Sequence, residues 1–273
     1  MIVKKNDISV IIPMYNSEKT IIAVLEAINN QTGKEYLKEI IIVNDGSTDG
    51  SISLINEFIS KIPVILINQS NSGVSSARNR GMCEATGNWI AFCDSDDIWL
   101  KEKIYEQVNV INSLQAKTEI DFLGSNHTNR DLRILCKRIT KLHRATVKEL
   151  CMKMYPQTST VIMKKNIFNT IGGFDKTQKY AEDGNYFLKI VSKYKCYYLP
   201  KQLVVYDGGK RGFGSSGLSA NLKGMHEGNL KNIRELRNSH DISFTFYLMM
   251  YLFYWAKYLR RIILVRVLKL LGR

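Results

Sequence analysis

Proline is scarce in this chain, with four in 273 residues, which argues against a disordered linker between domains. Cysteines are few and poorly placed to act together. Cys83, Cys93, Cys136, Cys151 and Cys196 make an odd number, and no two stand at C-x-x-C spacing. That excludes a disulfide framework and a cysteine-rich zinc site, and fits a reducing compartment. No uncharged apolar run is long enough to cross a bilayer as a helix. The opening stretch, MIVKKNDISVIIP, is too polar before its short apolar part for a signal peptide. The chain is therefore expected to begin here and to stay in the cytoplasm. Acids are also in short supply: 25 Asp and Glu stand against 39 Lys and Arg, a net charge of +14. Such a surplus favours a polyanionic partner: nucleic acid, an anionic membrane surface or a phosphorylated small molecule.

The remaining composition is that of a globular protein, with 45% hydrophobic and 23% charged residues. Ile8 to Ile12 is a short β-branched run of the kind buried on both faces of a sheet. Behind Ser17 and Glu18, Ile21, Ile22, Leu25 and Ile28 recur at helical spacing. The pattern repeats: strand Lys38 to Val43, helix Asp49 to Ser60, strand Val64 to Ile67, helix Val74 to Ala85, strand Asn88 to Cys93, helix Lys101 to Leu114. This alternation predicts an α/β fold, a mostly parallel sheet with helices on both faces. After Ile120 the rhythm weakens. Asp121 to Gly124, Arg133 to Cys136, Cys196 to Leu199 and Leu203 to Tyr206 look extended, and Val147 to Met154 and Glu182 to Lys193 look helical. No linker divides the two halves. Gly208 to Gly217, GGKRGFGSSG, is expected to be a mobile loop.

In parallel α/β sheets ligands lie beyond the carboxyl ends of the strands, and the polar signals fall there. The first strand ends in Pro13, Tyr15 and Asn16, and the second in Asp45 and Gly46. The third leads through Asn71-Ser72-Gly73 to a helix with Arg78 and Arg80, and the fourth ends in Asp94, Ser95, Asp96 and Asp97. Three carboxylates in four residues repel one another unless something positive relieves them. Strand alternation through Asp94 would put Asp94 and Asp96 on one face and Asp97 on the other. Two such carboxylates suit Mg²⁺ or Mn²⁺; alternatively, Asp96 or Asp97 caps the next helix. Arg78 and Arg80 either contact a diphosphate or form a solvated helix face. Tyr15 either stacks on a flat base or is partly buried. Asp45 either accepts from a base N–H or starts a turn. Glu182 and Asp183 open a helix, where charge is favourable, or supply a general base.

Taken in order, SVIIPMYN, IIIVNDGSTDGS, NSGVSSARNRG, GNWIAFCDSDD, GGFD and AEDGNYFLKI resemble the family 2 nucleotide-sugar glycosyltransferases with the GT-A fold. The resemblance runs from about Ile8 to Tyr206. It implies that Pro13, Tyr15 and Asn16 line a nucleoside pocket, that Asp45 beside Gly46 reads a uracil edge, and that Arg78 is a basic donor-site residue. It further implies that Asp94, Ser95 and Asp96 form the D-x-D motif that contacts ribose and holds Mn²⁺ or Mg²⁺. In some relatives the metal ligand falls one residue on, at Asp97. Asp183 matches the catalytic base, with Glu182, Gly173, Phe174 and Asp175 beside the acceptor or supporting the site from behind. The Q-x-x-R-W of processive synthases is missing, which implies addition of a single sugar.

The resemblance divides the chain into a GT-A domain over 1–207, with a nucleotide-binding half (1–117) and an acceptor half (118–207). A donor-site loop and helix (208–240) and a C-terminal segment (241–273) follow. That segment runs SFTFYLMMYLFYWA and then Lys257, Arg260, Arg261, Arg266, Lys269 and Arg273, with no acid after Asp241. It is expected to associate with the inner membrane surface, or to pack on the catalytic domain or a second subunit as a homodimer. Its cations fall on opposite sides of a straight helix, so two segments or a bend are expected. A membrane location would make a lipid-linked saccharide the acceptor and a UDP-sugar the donor, in O-antigen or capsule assembly. The rival enzyme is a nucleotidyltransferase, disfavoured because no Gly-rich basic signature follows the first strand. The rival binder is a nucleic-acid module, disfavoured because the densest basic segment adjoins an apolar tail.

Overall fold

The computed structural model describes residues 2–114, 117–135, 137–206 and 220–270. The predicted mobile loop from Gly208 to Gly217, Cys136 and Arg273 lie outside them. The strands are β1 (Ile8–Met14), β2 (Leu37–Asp45), β3 (Val64–Gln69), β4 (Trp89–Phe92), β5 (Ile98–Trp99), β6 (Phe122–Asn126), β7 (Arg133–Ile134), β8 (Lys137–Arg138), β9 (His143–Arg144), β10 (Ile162–Lys164), β11 (Cys196–Gln202) and β12 (Val204–Val205). The helices are α1 (Ile21–Asn29), α2 (Ser51–Glu57), α3 (Val74–Glu84), α4 (Lys103–Leu114), α5 (Val147–Met152), α6 (Asn166–Ile171), α7 (Glu182–Lys193), α8 (Leu222–Asn238) and α9 (Phe244–Leu270).

Eight strands form one sheet in the order β3-β2-β1-β4-β10-β6-β11-β9. The first four are parallel; β10 runs against both its neighbours and β9 runs against β11. The sheet is therefore mostly parallel and crosses both halves of the chain. Period-two alternation divides the core into two layers. Val10 and Ile12 join Leu25, Ile28, Ile104 and Val108 on one face. Ile11 joins Ala77, Met82 and the aromatic cluster of Phe174, Tyr186 and Phe187 on the other. Gly81 of α3 is required by this packing, because a Cβ there would meet Ile11 Cγ2 at 2.5 Å.

Pro13 extends β1 rather than ending it. Cys93 N–H donates to Ile11 O, so the N–H that Pro13 lacks would also point toward β4. That strand has already left the sheet after Phe92, and no ladder bond is lost. The C-terminal segment also departs from expectation. It is one continuous helix of 27 residues, not two. One side packs on the rest of the fold: Met250 and Tyr254 are buried, and the Tyr254 hydroxyl donates to Cys151 O at 2.6 Å. His226 of α8 stacks on Tyr258 at 4.5 Å between ring centroids. Among the described residues no helix is long and apolar enough to cross a membrane.

Candidate active site

Sheet order reverses between β1 and β4, the switch point where parallel sheets leave a crevice. A cleft of about 1770 Å³ opens there, lined by the carboxyl ends of β1, β2 and β4 and by the start of α7. Asn16 takes a left-handed φ of 49°, which a short amide side chain tolerates. It ties the first loop to the second: its N–H donates to Ser47 Oγ at 2.9 Å and its Oδ1 accepts from Thr48 N–H at 2.8 Å. Tyr15 and Pro13 stand on the same wall, and Tyr15 is half exposed. Asp45 is buried, yet its carboxylate borders the cleft. It accepts from Gln69 Nε2 at 2.7 Å and from the N–H groups of Ser72 and Gly73 at 2.8 Å each. Gly46, at φ +78°, leaves a Cβ no room beside Asn71 N at 3.0 Å.

The acidic motif does not continue the strand. Asp97 N–H donates to Asp94 O at 3.1 Å, closing a turn. The turn divides the acids much as a pleat would. Asp94, Ser95 and Asp96 line the cleft. Asp97 is fully buried, and its Oδ2 accepts from Gln157 Nε2 and Ser159 Oγ, both at 2.6 Å. Asp97 is therefore not among the residues that line the cleft. Ser159 Oγ also accepts from Asp94 N–H at 2.8 Å, and Ser95 Oγ bonds Ser17 Oγ at 2.7 Å.

Arg78, expected as a basic donor-site residue, is among the residues that line the cleft. It is buried and pairs with Asp94 Oδ1 at 2.8 Å and Glu182 Oε1 at 3.2 Å. Its guanidinium carbon lies 5.2 Å from the Phe174 ring centroid. Burial opposes its charge, but Asp94 and Glu182 outweigh that and hold its pKa above the ordinary value. Arg80 points elsewhere and pairs with Glu84 along the solvent side of α3.

Across the cleft Ala181, the residue before α7, has a left-handed φ of 55°. That kink delivers Glu182 and Asp183 together to the wall. Burial and the charge of Asp183 push Glu182 up to about 7, against the pull of Arg78. Burial also raises Asp183, while Arg78 and the Gly184 N–H at 2.7 Å work the other way.

Gly173, Phe174 and Asp175 do not line the cleft. Phe174 is a core residue whose backbone N–H and C=O both bond the Asn79 side chain at 2.8 Å. A Cβ on Gly173 would strike Asn79 Oδ1 at 2.1 Å. Asp175 pairs with Lys231 at 2.6 Å and with Thr177; these bonds overcome the effect of burial and hold its pKa at about 2. This trio braces the site from behind. Residues 127–130 and 154–158 complete the cleft instead. Sequence patterns did not reveal them, because they lie in loops without helical or strand periodicity.

Among the described residues no group of three or more His, Cys, Asp or Glu forms a ready metal cage. Hard carboxylates beside space for a diphosphate still fit Mn²⁺ or Mg²⁺, which such sites bind through one or two carboxylates plus phosphate oxygens.

The family model described as Glycosyl transferase family 2 matches residues 9–172. The chain belongs to that family. It is 28% identical over 162 residues to the Escherichia coli UDP-Glc:alpha-D-GlcNAc-diphosphoundecaprenol beta-1,3-glucosyltransferase WfgD, covering 59% of this chain and 62% of that one. It is 33% identical over 206 residues to the Bacillus subtilis minor teichoic acid biosynthesis protein GgaB, covering 72% of this chain but 22% of that one. The chain thus spans only part of these relatives' length. The crystal structure of S. aureus TarS 1-349 in complex with UDP-GlcNAc superposes with a TM-score of 0.69 at 22% identity, covering 86% of this chain and 69% of that one. The mannosyltransferase PcManGT from Pyrobaculum calidifontis, in complex with GDP-Man and Mn2+, gives 0.65 at 20% identity, covering 85% and 64%. The fold is GT-A.

Proposed function

We propose that the cleft moves a single hexose or N-acetylhexosamine from a UDP-sugar to a hydroxyl of a lipid-linked saccharide, with inversion to a β-linkage. The observation that carries this reading is the convergence of Asp45, Asp94, Asp96 and the Glu182–Asp183 pair on one cleft. In the proposed arrangement Asp45 receives the base, with Pro13, Tyr15 and Asn16 beside it. Asp94 and Ser95 face the ribose and diphosphate. Asp96 holds Mn²⁺ or Mg²⁺, which when bound would neutralise charge on the departing diphosphate. Asp183 takes the proton of the attacking hydroxyl. The acceptor oxygen, freed of its proton by one base, attacks opposite the departing diphosphate and inverts the anomeric centre, by the stereochemical logic of inverting glycosidases. Arg78 orients Asp94 and Glu182 from below.

The acceptor class draws support from WfgD, whose name specifies a diphosphoundecaprenol acceptor, and from GgaB, named for teichoic acid biosynthesis. It fits surface-polysaccharide assembly at the inner face of the membrane. The outer side of α9 supports membrane contact. Leu248, Leu252, Trp255, Leu259 and Ile263 are exposed there at intervals of three or four residues, with Arg260 and Arg266 exposed on the same helix. An apolar stripe flanked by cations suits an anionic lipid surface. The reaction is tested by incubating the protein with UDP-sugars, a divalent ion and diphospholipid-linked sugars. A new glycosidic bond with UDP release supports the reading; pyrophosphate release replaces it with nucleotidyl transfer.

A further inference from the structure

Besides Arg78 Nε, three residues that line the cleft carry a buried polar atom without a hydrogen-bond partner among the described residues: His127 Nδ1, the Tyr155 hydroxyl and Gln157 Oε1. None belongs to the groups proposed for the donor or the base. An unpaired buried polar atom is unfavourable, because it gives up its bonds to water and gains none in return. Three in the two loop segments that line one cleft require a physical reason.

The side chains that carry them are held in place. Asn126 Oδ1 accepts from the N–H groups of His127 and Thr128 at 2.9 and 3.2 Å, and its Nδ2 donates to Arg130 O at 2.8 Å. This locks the loop after β6. The His127 ring meets Tyr206 edge-on at 5.9 Å. Burial, helped by Lys153, lowers the pKa of His127 and favours the neutral ring. Tyr155 is 4% exposed and meets Tyr198 edge-on at 5.2 Å. Burial raises the pKa of its phenol, which keeps the proton and remains a donor. Gln157 gives its amide nitrogen to Asp97, which leaves its carbonyl oxygen as an acceptor.

One hydroxyl donor, one amide acceptor and one neutral imidazole nitrogen make an uncharged set. A phosphate would be poorly served by it. A sugar ring, whose hydroxyls both give and accept hydrogen bonds, fits it. We infer that His127, Tyr155 and Gln157 form the subsite for the acceptor's terminal sugar, and that Asp97 is a positioning residue that orients Gln157. This inference rests on the transferase reading above. It gives the fourth residue of the acidic motif a task on the acceptor side of the cleft.

The test pairs UDP-glucose, UDP-galactose, UDP-N-acetylglucosamine and UDP-N-acetylgalactosamine with the same four sugars α-linked through diphosphate to a short lipid. The pair that turns over is carried forward. In Tyr155→Phe and His127→Phe the acceptor KM rises about fivefold, while kcat and the donor KM stay within twofold. Asp97→Asn raises the acceptor KM and leaves the half-activating metal concentration unchanged. Acceptor KM values within twofold of wild type in both Tyr155→Phe and His127→Phe would overturn the subsite, as expected of a wall that only holds water. A shifted metal requirement in Asp97→Asn would return that residue to the metal. No turnover with any pair would overturn the transferase reading itself, and this inference with it.

Discussion

Glu182 is buried and its neighbour Asp183 is partly buried; Arg78 pairs with both Glu182 and Asp94. Asp183→Asn is expected to slow transfer by about a thousandfold or more while UDP affinity changes little. A loss below tenfold, measured by single-turnover transfer beside calorimetric UDP titration, would remove Asp183 from the base role. Asp96→Ala is expected to abolish metal-dependent transfer in a protein that still unfolds cooperatively. Glu182 has its own pH signature. Its folded pKa of about 7 lies above the ordinary 4.5, so the folded state holds this proton more tightly. The stability this contributes is complete below the unfolded value and is lost as pH rises through about 7. Activity runs the opposite way, because the base must be ionised. Glu182→Gln removes a negative neighbour and leaves Arg78 to Asp94 and Asp183. The acid limb of the kcat/KM profile should then move to lower pH; a limb that stays or rises would contradict the coupling. At this scale the sequence identified which residues would gather, since strand ends are where polar residues interrupt apolar runs. It could not show that Arg78 would turn inward to an ion pair, because both partners are distant in sequence.

The elements that were easiest to foresee were those with a repeating apolar pattern. β1 to β4 and α1, α3 and α4 emerge within a few residues of their predicted limits. The three-residue β10 is too short to show alternation, yet it joins the two halves of the sheet through β4 and β6. α9 was misjudged for a different reason. Its cations fall on both sides of a straight helix, which predicts two segments or a bend. The packed stripe around Met250 and Tyr254 decides its course instead. α8 offers a test of how elements position the site. Gly228 lies where a Cβ would meet Tyr180 O at 2.2 Å, one residue before the left-handed Ala181. Gly228→Ala should destabilise the protein by about 1–3 kcal/mol and lower turnover, because the start of α7 must shift. Thermal unfolding and kcat should fall together. An unchanged melting temperature with full activity would show that this contact yields freely.

Across the whole molecule, the charge of +14 and the exposed apolar side of α9 point the same way, toward an anionic surface. Removing α9 outright would expose core residues, so substitutions on its outer face make the cleaner test. Leu252→Glu with Leu259→Glu should abolish sedimentation with phosphatidylglycerol vesicles while leaving the melting temperature within a few degrees of wild type. Undiminished vesicle binding would sink the membrane reading, and a concentration-dependent dimer lost in the same variant would assign the face to a second copy. The central claim, however, concerns the cleft, where separated segments of the chain meet and where a sugar-nucleotide diphosphate is proposed to bind. Its most direct test is UDP release from the four UDP-sugars, followed with Mn²⁺, with Mg²⁺ and with chelator, in wild type and in Asp96→Ala. The account predicts release with at least one sugar that needs the metal and disappears in the variant. Equal release with chelator present, or full release from Asp96→Ala, would contradict it.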